Sequence, residues 1–257
     1  DSSKWELVAR NISVNSIGKD GESEPFTLKE FKYFGGIDSW KSEKANIQFG
    51  QSVAGLVLPA SAHDSPSFRV IEPYVPTQGS MKFEVKNLPH RKLMEQIGTM
   101  TQNALSSTSA PTCPAGTPPD KCPTANGASM QQAQLLGMQA MMTLPQLLAQ
   151  AGTIITTHVD TDAPKGSVLV DGDFTARADA VYSGVGKMKV ILGGVDAFLA
   201  DMQTAMKDPT LPPRDAETIK SIVGGLTGIQ MMGQQGKDAK GRDARTYDLA
   251  VDEKGAV

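Results

Sequence analysis

The chain has 257 residues, a net charge of −3, 39% hydrophobic residues and only 5% aromatics. With its 25 glycines counted among the small apolar residues, this balance excludes a disordered tail or a fibre. It predicts one elongated domain over 1–257 with a core of Val, Ile, Leu, Met and Ala, and the nearly neutral charge excludes the field that a phosphate backbone requires, so no nucleic-acid partner is expected.

The short basic patches Lys237–Arg245 and His90–Lys92 are diluted by Asp238, Asp243 and Glu95 and read as solvated loops. No run of apolar residues is long enough to predict a spanning helix. The sequence opens on Asp1-Ser2-Ser3-Lys4 and stops at Val257, just past the turn-like Asp252-Glu253-Lys254-Gly255. Both ends read as cut from a longer precursor, whose missing N-terminal segment is where membrane anchoring would sit.

Residues 1–89 follow a period of two. Leu7, Ala9, Ile12 and Val14 mark a first strand with a slip near Asn11, and Phe26, Leu28, Phe31 and Phe34 a second, bulged one after Pro25. Ile47, Phe49 and Val53–Leu58 continue the series, then Phe68–Tyr74 and Met81–Leu88. Turn signals stand at Gly18–Gly21, Gly35–Asp38, Pro59–Pro66 and Pro73–Gly79. Short strands joined by tight turns make an antiparallel β-meander.

At Pro89 the period changes. His90–Leu105 has helical spacing through Leu93, Met94, Ile97, Met100, Ala104 and Leu105. Residues 106–128 form a Ser/Thr/Pro/Gly-rich loop that holds Cys113 and Cys122. A loop disulfide is the natural reading, at about 2–3 kcal/mol in the chain-entropy model, and implies an oxidising compartment. A pair of free thiols is the competing reading; a metal site lacks a nearby His or third Cys, and the C-x-x-C spacing of a redox pair is absent.

A second helix is predicted over Ser129–Ala151, broken or kinked at Pro145 and stopped at Gly152. Strands follow at Thr153–Asp162, Ser167–Ala176 and Val185–Leu192, then helices at Asp196–Lys207 and Asp215–Gln234, and a last strand at Arg245–Val251. Two blocks, 79–162 and 186–257, share the grammar strand, helix, loop, helix, strand. Gly79-Ser80-Met81-Lys82-Phe83-Glu84-Val85 matches Gly186-Lys187-Met188-Lys189-Val190-Ile191-Leu192 in a few letters. Either an internal duplication or two independent strand-to-helix crossings produces that pattern. The predicted fold is α+β: a long twisted antiparallel sheet with two helical hairpins packed on one face.

Signatures of catalysis are missing. There is no G-x-S-x-G, no phosphate-binding glycine loop and no H-E-x-x-H, and His63, His90 and His158 are not spaced as metal ligands. With Ala163–Gly166 as a turn, cross-strand partners sum to about 329 in residue number. Ile155, Thr157 and Val159 then face Phe174, Gly172 and Val170, while Thr156, His158 and Asp160 face Asp173, Asp171 and Leu169 on the other side. The acidic pairs Asp160/Asp162 and Asp171/Asp173 do not converge in that register. His158–Asp171 supplies two members of a triad without a nucleophile, and a solvated cross-strand pair is the simpler reading.

Methionines concentrate on the helices. Leu93, Met94, Ile97, Met100, Met138, Met141, Met142, Leu147, Met202, Met206, Met231 and Met232 suit an apolar groove between sheet and helices that accepts lipid or another apolar ligand, and suit an ordinary filled core equally well.

The stretch Gly79–Ile97, the run Leu144-Pro145-Gln146-Leu147-Leu148-Ala149-Gln150-Ala151-Gly152 with the strands at Thr153–Asp162 and Gly166–Thr175, and Met188–Met202 resemble the YdgA-like family of bacterial envelope proteins, and more distantly the AsmA-like class. The resemblance covers about residues 79–206, and the cysteine loop departs from it. It implies an N-terminal signal or inner-membrane anchor, a periplasmic body of repeated antiparallel strands and no established enzymatic role; no cofactor or metal is expected. The expectation is a non-catalytic extracytoplasmic protein that binds lipid or another apolar ligand. The alternative is a structural or protein-interaction module, a homo-oligomer among its forms, that uses the sheet edge or the apolar helices.

Overall fold

The computed structural model describes residues 1–17, 23–107, 138, 143–209 and 211–255. Nine strands form one antiparallel sheet: β1 (Ser3–Ile17), β2 (Ser23–Asp38), β3 (Ala45–Val57), β4 (Gln78–Leu88), β5 (Ile154–Asp162), β6 (Ser167–Ala176), β7 (Gly184–Gly193), β8 (Gln234–Lys237) and β9 (Asp243–Val251). Their spatial order is β1-β2-β3-β4-β5-β6-β7-β9-β8. The described helices are α1 (Pro66–Ile71), α2 (His90–Ser107), α3 (143–151), α4 (Val195–Ala205) and α5 (Pro213–Met232). The α+β class and the long antiparallel sheet are as the alternation predicts. Cys113 and Cys122, expected to form a disulfide, and Met141 and Met142 lie outside the described residues.

The predicted register of the β5–β6 hairpin holds along its length, with Ile155 opposite Phe174, Val159 opposite Val170 and His158 opposite Asp171. At Asn11 the backbone turns to a φ of 53°. Pairing with β2 keeps its register across that point, Arg10 opposite Glu30 and Ile12 opposite Leu28. The slip read from the sequence is therefore a local kink, beyond which the apolar residues change face.

Three expectations are corrected. Gly35–Asp38 is no turn but the end of β2, because Gly35 lies under the ring of Trp5; the chain turns after it, where Ser39 takes a φ of 61° and accepts the Ser42 N–H at 3.0 Å. Phe68–Tyr74 is no strand. Pro66 occupies the first turn of α1, and Glu72–Tyr74 continues as a 3-10 turn, so a pre-set proline φ and packing on α4 and α5 override the β-preference of Phe68 and Val70. Gln234 belongs not to a helix but to β8, since Gly233 passes so close to Tyr247 that a Cβ would stand 2.6 Å from its ring.

The helices cover one corner of the sheet. α4 and α5 pack on each other, on α1 and, through α4, on β9. Met202 and Ile219 are fully buried there, with Leu199 and Val195 beside them. Tyr74 meets Phe198 edge-on at 4.7 Å, and the Arg245 guanidinium bonds Asp196 at 2.9 Å. α2 is tied down at its first turn. His90 Nε2 lies 2.9 Å from the Trp40 carbonyl, which can only accept, so that nitrogen carries the proton; the two rings stack at 4.4 Å. Farther along α2, Met94 and Ile97 are exposed. The picture of two hairpins over one face thus reduces to one covered corner.

The two look-alike blocks do not superpose in the matched register. Alignment of Gly79–Val85 with Gly186–Leu192 keeps Met81 and Met188 on the same face, reverses the strand direction, and leaves the following strand on the same side. Those three operations together are a reflection, which no rotation of an L-chain produces.

Glycine sets where aromatic rings can lie flat. A Cβ at Gly184 would stand 2.1 Å from the Phe174 ring, whereas one at Gly224, exposed on α5, would meet nothing within 4 Å. Gly184→Ala is expected to lower unfolding stability by about 1–3 kcal/mol, and Gly224→Ala to raise it by about 0.5–1 kcal/mol; denaturant titration reads both.

Candidate functional site

Apart from a shift between Ala45 and Ile47 in the β3–β4 ladder, register holds along each pair of strands, so the central rows of side chains are continuous across the sheet. One row runs Trp5, Gly35, Phe49, Phe83, Thr157, Gly172, Met188 and Leu249 from β1 to β9. Its neighbour on the same face runs Leu7, Tyr33, Gln51, Met81, Val159, Val170, Val190 and Tyr247. Eight strands at about 4.8 Å spacing give this band a length of roughly 34 Å. Trp5 and Tyr33 touch with ring centroids 5.0 Å apart, Phe49 and Phe83 at 5.1 Å.

The band is apolar and open. Its residues Trp5, Leu7, Tyr33, Phe49, Met81, Met188 and Leu249 are each between 36% and 60% exposed. Among the described residues, α4 and α5 reach it near Tyr247, whose hydroxyl donates to the Ile229 carbonyl at 2.9 Å. Beyond that corner a groove of about 340 Å³ lies along β5, β6, β7 and β9, lined by Phe83, Ile155, Phe174, Met188, Leu249 and Val251.

The opposite face is polar. A row of Glu6, Phe34, Gly50, Lys82, His158, Asp171, Lys189 and Asp248 crosses the same strands. It borders a shallow hollow of about 760 Å³. His158 Nδ1 and Asp171 Oδ1 are 2.5 Å apart, and both side chains are about half exposed. Lys187 stands 3.7 Å from Asp173 and Lys82 3.4 Å from Glu84. In one adjacent row the Thr156 hydroxyl is turned to Glu84 at 3.4 Å. Charges there compensate each other pairwise, and the hollow lining contains no serine or cysteine that would complete a triad with His158. Among the described residues no group of three His, Cys, Asp or Glu stands close enough to hold a metal ion.

The residues expected to line a helix-side groove fall in separate places. Met202 is in the buried cluster, Met206 half-buried at the end of α4, and Met231 and Met232 are highly exposed at the end of α5. Leu93 is half-buried and Met94 and Ile97 exposed on α2, Leu147 half-buried on α3, and Met138 exposed. Met100 lies on α2. The groove described above is instead built from strand residues. Their alternation in Trp5/Leu7, Met81/Phe83/Val85 and Met188/Val190 is the signal that marks them.

One charged knot holds the C-terminal strands in place. The Asp238 carboxylate accepts from Ser167 Oγ at 2.8 Å, from Arg242 Nε at 2.6 Å and from the Lys240 and Arg242 backbone N–H groups, each at 2.9 Å. Arg242 also donates to the Ala163 carbonyl at 2.7 Å and to Asp162 at 2.8 Å, and Lys240 pairs with Asp162. The loop between β8 and β9 is thereby clamped over the β5–β6 turn. Burial alone would raise the Asp238 carboxyl, but the hydrogen bonds from Ser167 and Arg242 outweigh it and hold the group at about 2. A carboxyl lowered on folding stabilises the fold above its ordinary range, and that contribution is lost as pH falls from about 4 towards 2. Asp238→Asn should therefore lower stability at pH 7, and the gap from the parent chain should shrink by about 2 kcal/mol on acidification to near pH 2, as followed by denaturant unfolding at each pH.

Comparison of the chain with protein-family models, with curated proteins and with solved structures finds no match.

Proposed function

We propose that the protein is a non-catalytic carrier or receptor for an elongated apolar ligand, such as the acyl chain of a lipid, held along the open apolar face of the sheet. The observation that carries this reading is the continuous row from Trp5 to Leu249, exposed outside the corner that α4 and α5 cover. An exposed apolar band that crosses most of a sheet exceeds what soluble monomers ordinarily leave to water, and marks an interaction site. The ligand therefore lies on the strands, with the helix cluster as one wall, rather than between two helical hairpins.

We place this activity in an oxidising extracytoplasmic compartment such as the periplasm. The nine-residue offset of Cys113 and Cys122 supports that setting, as does the resemblance to envelope proteins. Among the described residues no helix is long and apolar enough to cross a membrane.

Fluorescent fatty-acid titration and native mass spectrometry of lipid extracted with the protein test the proposal. Met188→Lys and Leu249→Lys, on the apolar face, are expected to weaken uptake at least tenfold, which is about 1.4 kcal/mol, while Lys189→Gln on the polar face leaves it unchanged. Uptake insensitive to both apolar-face variants, or no uptake by the folded parent chain, would end this reading.

A further inference from the structure

The two edges of the sheet are built differently. β8 has only four residues, Gln-Gln-Gly-Lys, and so exposes a short polar edge. β1 has fifteen and lies at the other end of the strand order, with β2 as its one neighbour. Among the described residues, β1 makes no backbone hydrogen bond outside its ladder with β2. Because alternate residues of an antiparallel strand turn their N–H and C=O groups outward, about half of its length presents unused donors and acceptors. Such an edge pairs with another strand unless its charges oppose pairing.

We propose that β1 pairs with β1 of a second copy of this chain, antiparallel about a two-fold axis at Val8. The charges on the polar face of β1 select that register. Lys4, Glu6 and Arg10 share that face with Val8, since they lie at even spacing from it and oppose residues of β2 that do the same. A two-fold axis at Val8 sets Glu6 of each copy opposite Arg10 of the other, giving two complementary contacts and no like-charge contact. An axis at residue 6 sets Glu6 against Glu6, one at residue 7 sets Lys4 against Arg10, and one at residue 10 sets Arg10 against Arg10. Axes at 5, 9, 11, 12 and 13 avoid like charges, but the first, which sets Lys4 against Glu6, overlaps only residues 3–7 of the strand, and the others leave Glu6 and Arg10 without an opposite charge. Arg10 binds Glu30 through Nε at 2.9 Å, which leaves its η nitrogens for the second carboxylate. On the other face Leu7 meets Ala9 of the second copy, so the two apolar bands join into one of about 70 Å. Pairing itself does not require the ligand proposed above.

Light scattering of the full chain, up to about 1 mM to capture a weak dimer, tests this with Glu6→Arg and Arg10→Glu. Both positions are exposed, and far-ultraviolet circular dichroism verifies that each variant folds. The parent chain is expected at twice its mass of 27.3 kDa. Each variant alone places like charges opposite each other and should run as a monomer. Mixing them restores both complementary contacts and should return the dimer as a heterodimer. A monomeric parent chain, variants that dimerise alone, or a mixture that stays monomeric would each overturn the proposal.

Discussion

An antiparallel sheet with one apolar face needs a second layer, and in this protein that layer covers only a corner. α4 and α5 bring Leu199, Met202 and Ile219 together beside β9, and there the molecule has its fully buried large side chains. From β1 to β6 the same face continues without a helix of comparable packing among the described residues. The strands there depend on their ladders and on ring contacts within the sheet, such as Trp5 with Tyr33 and Phe49 with Phe83. Whatever covers the band therefore acts as missing core. A ligand that binds only the folded form would stabilise it by mass action.

Register is what makes a band out of scattered residues. A shift of one residue in any ladder from β1 to β9 would send the part of the row beyond it to the polar face and break its continuity. Close approaches of aromatic rings to glycines on the same face help to pin the register. The Trp5 ring lies over Gly35, and the Phe174 ring over Gly184, where any Cβ would collide. On the polar face Phe34 does the same over Gly50. The clamp of Asp238, Arg242 and Asp162 fixes the far end, where β9 has to be held in register against β7 although more than forty residues separate them in sequence.

Much of this was legible from local pattern. The β5–β6 register follows from a turn at Ala163–Gly166 and a period of two, and it places His158 against Asp171 as counted. α2, α4 and α5 follow from apolar spacing, with Pro89 just before the first of them. The failures share a cause, since each was decided by contacts distant in sequence. Gly35 and Gly36 look like a turn until Trp5 is known to lie across the first of them. Phe68 and Val70 favour a strand until α1 meets α4 and α5. Methionine spacing on helices showed amphipathic surfaces but not their partners, so Met202 became core while Met231 and Met232 faced solvent.

The polar face differs from the apolar one in its hydration. A general base works through a perturbed environment, with a substrate proton within its reach and water excluded. His158 and Asp171 stand half exposed in a shallow hollow among lysines and carboxylates that neutralise one another. Solvent screening keeps such pairs individually weak. Their combined effect is to keep one surface of the sheet hydrated while the other is not. That difference leaves the row from Trp5 to Leu249 as the side of the sheet on which an apolar partner would remove surface from water.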